Sequence, residues 1–227
     1  MSLNQDNDSV EIRNLVAKKI YDPFLRFLHW WNALSIFSLM LTIWLKGLLK
    51  PYQNWKEIIY VYHIYIGYAL TVGIVARIIW GFIGPKHAKF KNMFHIKDYI
   101  FLLKNRKIDK SSYWGHDRYA GILYLALYLL MVYEAYSGLY LAAKHYNMGP
   151  FTSFIAFSNE KDFIRNMIKK IHEIIFYLAM IFSFIHVFML IFHEIKEKYP
   201  LVQSMFSGFQ YRRNEEKSES NSQNLKK

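Results

Sequence analysis

With 227 residues and no cysteine, the chain is the size of one domain and cannot form disulfides, thiolate-held iron-sulfur clusters or a thiolate nickel site from its own side chains. Its residues are 53% hydrophobic and 19% aromatic, and they gather in four blocks, about 28–49, 58–83, 119–143 and 171–193, each near the ~20 residues that cross a hydrocarbon core as a helix. A net charge of +12 would suit a nucleic-acid partner, but the Lys and Arg residues lie between the blocks, which argues against that use.

The chain opens with MSLNQDNDSVEIRNLVAKKIYDPF, a polar stretch of mixed charge without a short apolar run closed by small residues, so no cleaved signal peptide is expected. Residues 1–20 read as a mobile or surface-bound cytoplasmic segment, with Pro23 breaking any helix ahead of the membrane. Residues 21–211 read as the transmembrane domain, and 212–227 as a tail disordered by its polar composition.

The first span begins with RFLHWWNALSIF, which sets Arg26, His29, Trp30 and Trp31 at the inner interface, where indole rings are favoured. It leaves through Lys46 to Pro51 into a short outer turn. The second span starts with IIYVYHIYIGYAL, so His63 lies about one turn inside the outer interface, and Gly84 and Pro85 end it. Arg77 follows His63 by 14 residues and shares nearly its face about four turns deeper. A cation at that depth needs a partner.

Residues 86–118 form a basic inner loop whose piece Ile96–Asn105 is amphipathic enough to lie on the membrane surface. The third span carries Glu134 well past its middle, either paired with outer-side cations or part of a proton path, and pairing is the favoured expectation for it. The outer loop from Lys144 to Arg165 is the best surface for an external partner. In the fourth span, IHEIIFYLAMIFSFIHVFMLIFHE, His172 and His186 are 14 residues apart, about 40° short of four turns and roughly 21 Å along the axis. That is too far to share one metal ion.

Twenty Lys and Arg residues fall before the first span, between the second and third, and after the fourth, against seven in the two other loops. The excess puts both termini on the cytoplasmic side. His63 and His172 then enter from outside at one level. His29 and His186 can meet at a second, inner level if the first and fourth helices are neighbours. Two imidazoles per level, from facing helices, are what the axial positions of a planar iron macrocycle need, and haem b held without covalent attachment fits. Zinc fits poorly, because two histidines are too few and no acidic residue is expected beside either pair. His193 is a rival ligand but lies at the membrane exit beside Glu194, whereas His87, His95 and His145 suit plain interfacial roles. Arg77 is the candidate partner for a propionate of the inner haem. The expected fold is all-α, an integral membrane four-helix bundle with haem sites between helices.

The segments IYDPFLRFLHWWNALSIF, YHIYIGYALTVGIVARIIWGFIGPKHAKF, GHDRYAGILYLALYLLMVYEAYSGL and IHEIIFYLAMIFSFIHVFMLIFHEI, followed by SMFSGF, resemble the b-type cytochrome subunit of membrane-bound nickel-iron hydrogenases. The likeness covers roughly residues 18–211. It implies haem b, one or two per chain, with His29, His63, His172 and His186 matching the family's haem-associated histidines. It also implies partners on the outer side: a small subunit with iron-sulfur clusters and a large subunit with the nickel-iron centre. Electrons from hydrogen would pass to quinone, in the inner membrane of a bacterium. His116 and Asp117, at the inner mouth of the third span, are candidates for the quinone vicinity, against a plain helix-capping role. Glu134 inherits no role from the likeness. The related four-helix cytochromes of formate dehydrogenases, or of another respiratory reductase, leave the electron donor open. From a different class, a haem-free membrane anchor or a small transporter would have the same spans, although neither discontinuous helices nor internal repeats are seen.

Overall fold

The computed structural model describes residues 15–49, 51–93, 104, 120–155, 162–197 and 200–213. Four long helices dominate it: α1 (Pro23–Leu48), α2 (Gln53–Ile83), α3 (Ala120–Tyr146) and α4 (Asp162–Glu197). All four contain segments long and apolar enough to cross a membrane.

The helices outrun the apolar blocks, and the reason differs at each end. Pro23 does not break a helix but begins α1, its fixed φ and missing N–H being harmless at the first position. Asp22 caps that turn by accepting the Leu25 N–H at 3.0 Å, so the span starts five residues before the predicted 28. At the other end of the chain, α4 extends nine residues before and four beyond the predicted 171–193, because Lys169 and Lys170 on one side and Glu194, Lys196 and Glu197 on the other are good helix formers outside lipid as well as in it. Its 36 residues reach about 54 Å, more than a hydrocarbon core is thick. α3 likewise carries Lys144 and His145 in its last turn rather than releasing them to a loop.

α1 packs on α2, α2 on α3 and α3 on α4. Leu70 and Ile74 of α2, Met131 of α3 and Ala179 of α4 form the central core, with Ile36 and Leu39 of α1 against it. Leu34, Phe37, Val72, Phe82, Leu129, Phe184 and Phe188 point outward, as a lipid-facing surface requires.

Two short strands add to the helical plan. β1 (Leu15–Lys19) pairs antiparallel with β2 (Phe209–Arg213), joining Ala17 to Tyr211 in register. The last residues of the segment expected to be a mobile head, and the first two of the expected tail, are therefore ordered backbone. Alternation of Leu15, Val16, Ala17 with Lys18 and Lys19 gave no clean strand period, since neither face of this ribbon is fully buried. Beside it, Ile20, Tyr21, Leu25 and Ala88 form a second small core with Trp80 and Met205. The amphipathic piece Ile96–Asn105, apart from helical Lys104, lies outside the described residues, as do 1–14 and 214–227.

Candidate cofactor site

At the level expected to lie toward the outside, here called outer, the structure brings His63 of α2 and His172 of α4 to one cavity of about 610 Å³, within the ~300–1,000 Å³ usual for cofactor pockets. Gly67 and Gly138 also line it. A Cβ added to Gly67 would meet nothing within 4 Å, and one on Gly138 would touch His172 Cε1 at 3.4 Å. Both glycines thus keep the walls open beside the imidazoles.

Each imidazole is fixed by a hydroxyl. The Thr42 hydroxyl donates to the Leu39 carbonyl at 2.6 Å, which uses its single proton. His63 Nδ1 lies 2.8 Å from the same oxygen and must therefore be the donor. On the opposite wall Ser137 Oγ donates to the Glu134 carbonyl at 3.0 Å, and His172 Nδ1 donates to Ser137 Oγ over 2.8 Å. Both rings are consequently held as the Nδ1–H tautomer. Nε2 keeps its lone pair, the state in which a histidine binds a metal, with its other nitrogen tied to an outer-shell partner.

Glu134 corrects an expectation. Its Oε2 lies 3.3 Å from His172 Nδ1, buried and without a hydrogen-bond partner of its own, so it accompanies the histidine rather than outer-side cations. An acidic residue does stand beside one pair. It approaches Nδ1 rather than Nε2, however, and among the described residues no three His, Asp or Glu side chains converge to hold a metal ion. Two imidazole nitrogens in an open-walled cavity suit a macrocycle that brings its own four equatorial ligands, and do not suit bare zinc.

The inner pair is built differently. His29 of α1 and His186 of α4 are half-buried and within electrostatic range of each other, although α1 and α4 share little direct packing. His29 meets Trp30 edge-on at 5.6 Å, and His186 stacks on Phe182 at 6.0 Å and 9°. Among the described residues neither ring has a hydrogen-bonded partner.

Arg77 is only 4% exposed, its guanidinium 4.8 Å from the Phe90 ring centre and 5.5 Å from that of Tyr128. These ring faces offset part of the cost of burying the charge, yet among the described residues Nη1 has no hydrogen-bond partner. His193 packs against Phe192 of its own helix, and His145 lies at the outer rim of the cavity. His87, outside the spans, is held below the usual histidine range by burial and by the charges of Lys86 and Lys18. His95, His116 and Asp117 fall outside the described residues.

Thr42 and Ser137 were not singled out from the sequence. They stand 21 and 35 residues from the histidines they hold, so no local motif joins them, and only the helix packing does.

Three relatives match most of the chain. The chain is 23% identical over 92% of its length, and 94% of the relative's, to the probable Ni/Fe-hydrogenase B-type cytochrome subunit of Azotobacter chroococcum mcd 1. It is 24% identical to the protein of the same description from Rhodobacter capsulatus, over 88% of this chain and 84% of that one. It is 23% identical to the probable Ni/Fe-hydrogenase 1 B-type cytochrome subunit of Escherichia coli strain K12, over 86% and 92%. No solved structure matches. The family model for prokaryotic cytochrome b561 matches residues 20–208, from just ahead of the first span to just past the one-turn helix Ser204–Ser207. That match embraces all four spans and both histidine pairs, and the chain therefore belongs to the prokaryotic cytochrome b561 family of multi-pass membrane proteins.

Proposed function

We propose that this chain is the haem b subunit that anchors a Ni/Fe hydrogenase to the bacterial cytoplasmic membrane and passes its electrons to quinone. The observation that carries the reading is the outer pair: His63 and His172, on different helices, share one cavity with Nδ1–H bound and Nε2 free. The printed descriptions of the relatives supply the hydrogenase.

In this reading His63 and His172 would hold a haem iron at the outer level, and His29 and His186 one at the inner level. Haem b, when bound, supplies a one-electron carrier inside the hydrocarbon layer. The protein's part is positional. Thr42 and Ser137 lock the two outer rings, Gly67 and Gly138 leave room between the helices, and apolar spans exclude water. Arg77 offers its unpartnered N–H to a propionate of the inner haem. Two levels divide the membrane into shorter intervals than one carrier would. The iron-sulfur clusters that feed the outer level belong to a partner, since no cysteine is available here.

The charge excess supports cytoplasmic termini; in this reading quinone is met on that side and the hydrogenase sits outside. His116 and Asp117 in the inner loop are the candidate quinone contacts. Hydrogen split outside and quinol protons taken from inside would then build membrane potential.

The test is purification with native partners, followed by haem quantitation, a reduced-minus-oxidised spectrum and an assay of hydrogen-dependent quinone reduction. The expected result is a b-type spectrum lost at the outer site in His63→Ala and His172→Ala, with quinone reduced at the expense of hydrogen. An intact but colourless protein overturns the cofactor assignment. Hydrogen oxidation that never reaches quinone overturns the acceptor.

A further inference from the structure

The segment after α4 has no role in the scheme above, yet it is tied to both helices that bear the inner histidines. On the α4 side, the Val202 N–H donates to Glu194 Oε2 at 2.8 Å. On the α1 side, Trp30 Nε1 donates to the Met205 carbonyl at 3.1 Å, and Arg26 Nη1 donates to the Phe206 carbonyl. Trp30 and Phe206 pack at 4.5 Å. The Gly208 carbonyl accepts both the Ile20 N–H at 2.9 Å and the Tyr21 N–H at 3.1 Å, after which β2 runs along β1. α1 and α4 meet little directly, whereas this segment is hydrogen-bonded to residues of both at the inner end.

We propose that Val202–Arg213 is a clasp that sets the separation of α1 and α4 and so positions His29 opposite His186. The inference rests on the reading of that pair as the inner haem site. Trp30 is central to it as a positioning residue, being next in sequence to His29 and bonded to the clasp through its indole. Gly208 is the point where the clasp is most easily broken. Its φ of +84° belongs to the left-handed region, and a Cβ there would stand 2.7 Å from the Tyr21 carbonyl oxygen. A β-branched residue is least able to adopt that conformation.

The experiment uses the full chain in complex with its partners. Gly208→Val is expected to lower haem per chain to the level of His186→Ala while leaving the outer haem in place. This chain has no cysteine of its own, so introduced cysteines can be labelled or oxidised on the purified chain before its partners are added, which allows two further measurements. Spin labels on Leu34→Cys and Phe184→Cys, both outward-facing, report the α1–α4 distance. That distance is expected to be single and narrow in the parent and broadened in Gly208→Val. Adding Ala17→Cys with Tyr211→Cys should restore both haem and distance on oxidation, because facing residues of an antiparallel ladder lie ~4.5–5.5 Å apart, within disulfide reach. Should Gly208→Val fail to assemble, Trp30→Phe keeps a smaller aromatic ring beside Phe206 and removes the N–H that bonds to Met205, and faster loss of the inner haem is expected.

Parent-like haem content and an unbroadened distance in Gly208→Val, or in Trp30→Phe no change in either, overturn the clasp. If His186→Ala holds as much haem as the parent, the inner-site reading fails instead. The spin-label distance then still decides whether the clasp sets the helix separation.

Discussion

Thr42→Val tests the geometry of the outer pair most directly. The substitution keeps the shape of the side chain and deletes the oxygen that accepts His63 Nδ1–H over 2.8 Å. A half-buried N–H left without a partner costs ~1–3 kcal/mol. Loss of an outer-shell partner of a metal-bound histidine weakens the metal site ~10–100-fold, or about 1.4–2.7 kcal/mol, the same scale reached from a different direction. Haem should therefore leave the outer site roughly 10–100 times faster than in the parent. The assay is transfer of haem to an excess of a scavenging apoprotein, followed by absorbance, in a His186→Ala background that isolates the outer site. Ser35→Ala is the control. Ser35 is also a buried hydroxyl of α1, but among the described residues its hydrogen bond goes to the Trp31 carbonyl and not to an imidazole, so haem release should stay at the parental rate. Ser137→Ala should reproduce the Thr42→Val result from the opposite wall. A Thr42→Val protein that releases haem at the parental rate, with an unchanged ferric spectrum, would refute the tautomer argument.

Three further outcomes follow from the same geometry. Gly67→Leu places a side chain where a Cβ already meets open space, so the outer haem should be lost while circular dichroism shows parental helix content; full haem occupancy would mean the cavity is not the site. Arg77→Gln removes a buried positive charge, and the inner haem's midpoint potential should fall or the haem be lost; a redox titration that superimposes on the parent rejects the propionate assignment. His87 binds its proton less readily folded than unfolded, so the unfolded state takes up more protons as pH falls through 6.5 and stability declines on the acid side. His87→Gln should remove that decline, read as the thermal midpoint in detergent between about pH 7 and pH 5.

The four spans were legible in the sequence because membrane-crossing helices must bury their backbone polar groups within apolar blocks, and block length nearly fixes position. Their ends were not, because a helix continues past lipid wherever caps and helix formers allow, as Asp22 does for α1 and Lys169 and Lys170 do for α4. The histidine pairing was legible from a 14-residue spacing and from depth, two quantities that need only the pitch of a helix. What held the outer imidazoles was invisible. Thr42 and Ser137 look like any other hydroxyl in a span until the helices are packed, and the place of Glu134 beside His172 depends on the rotation of α3 against α4.

The two histidine pairs differ in how far the bundle prepares them, and the connectivity explains why. α2 and α4 both flank α3, so His63 and His172 are set by continuous helix packing and find hydroxyls from α1 and α3 already in place. α1 and α4 are the two ends of a row, with α2 and α3 between them along the chain of contacts. A pair contributed by the ends cannot rely on that packing, and a link made after the fourth helix is complete is one economical way to fix it. The backbone bonds from Gly208 and Met205 to residues around the start of α1 have that character. Order of assembly follows: the outer site can form once the four helices have packed in their row, whereas the inner site needs the chain to run on past Glu197 and return to Trp30.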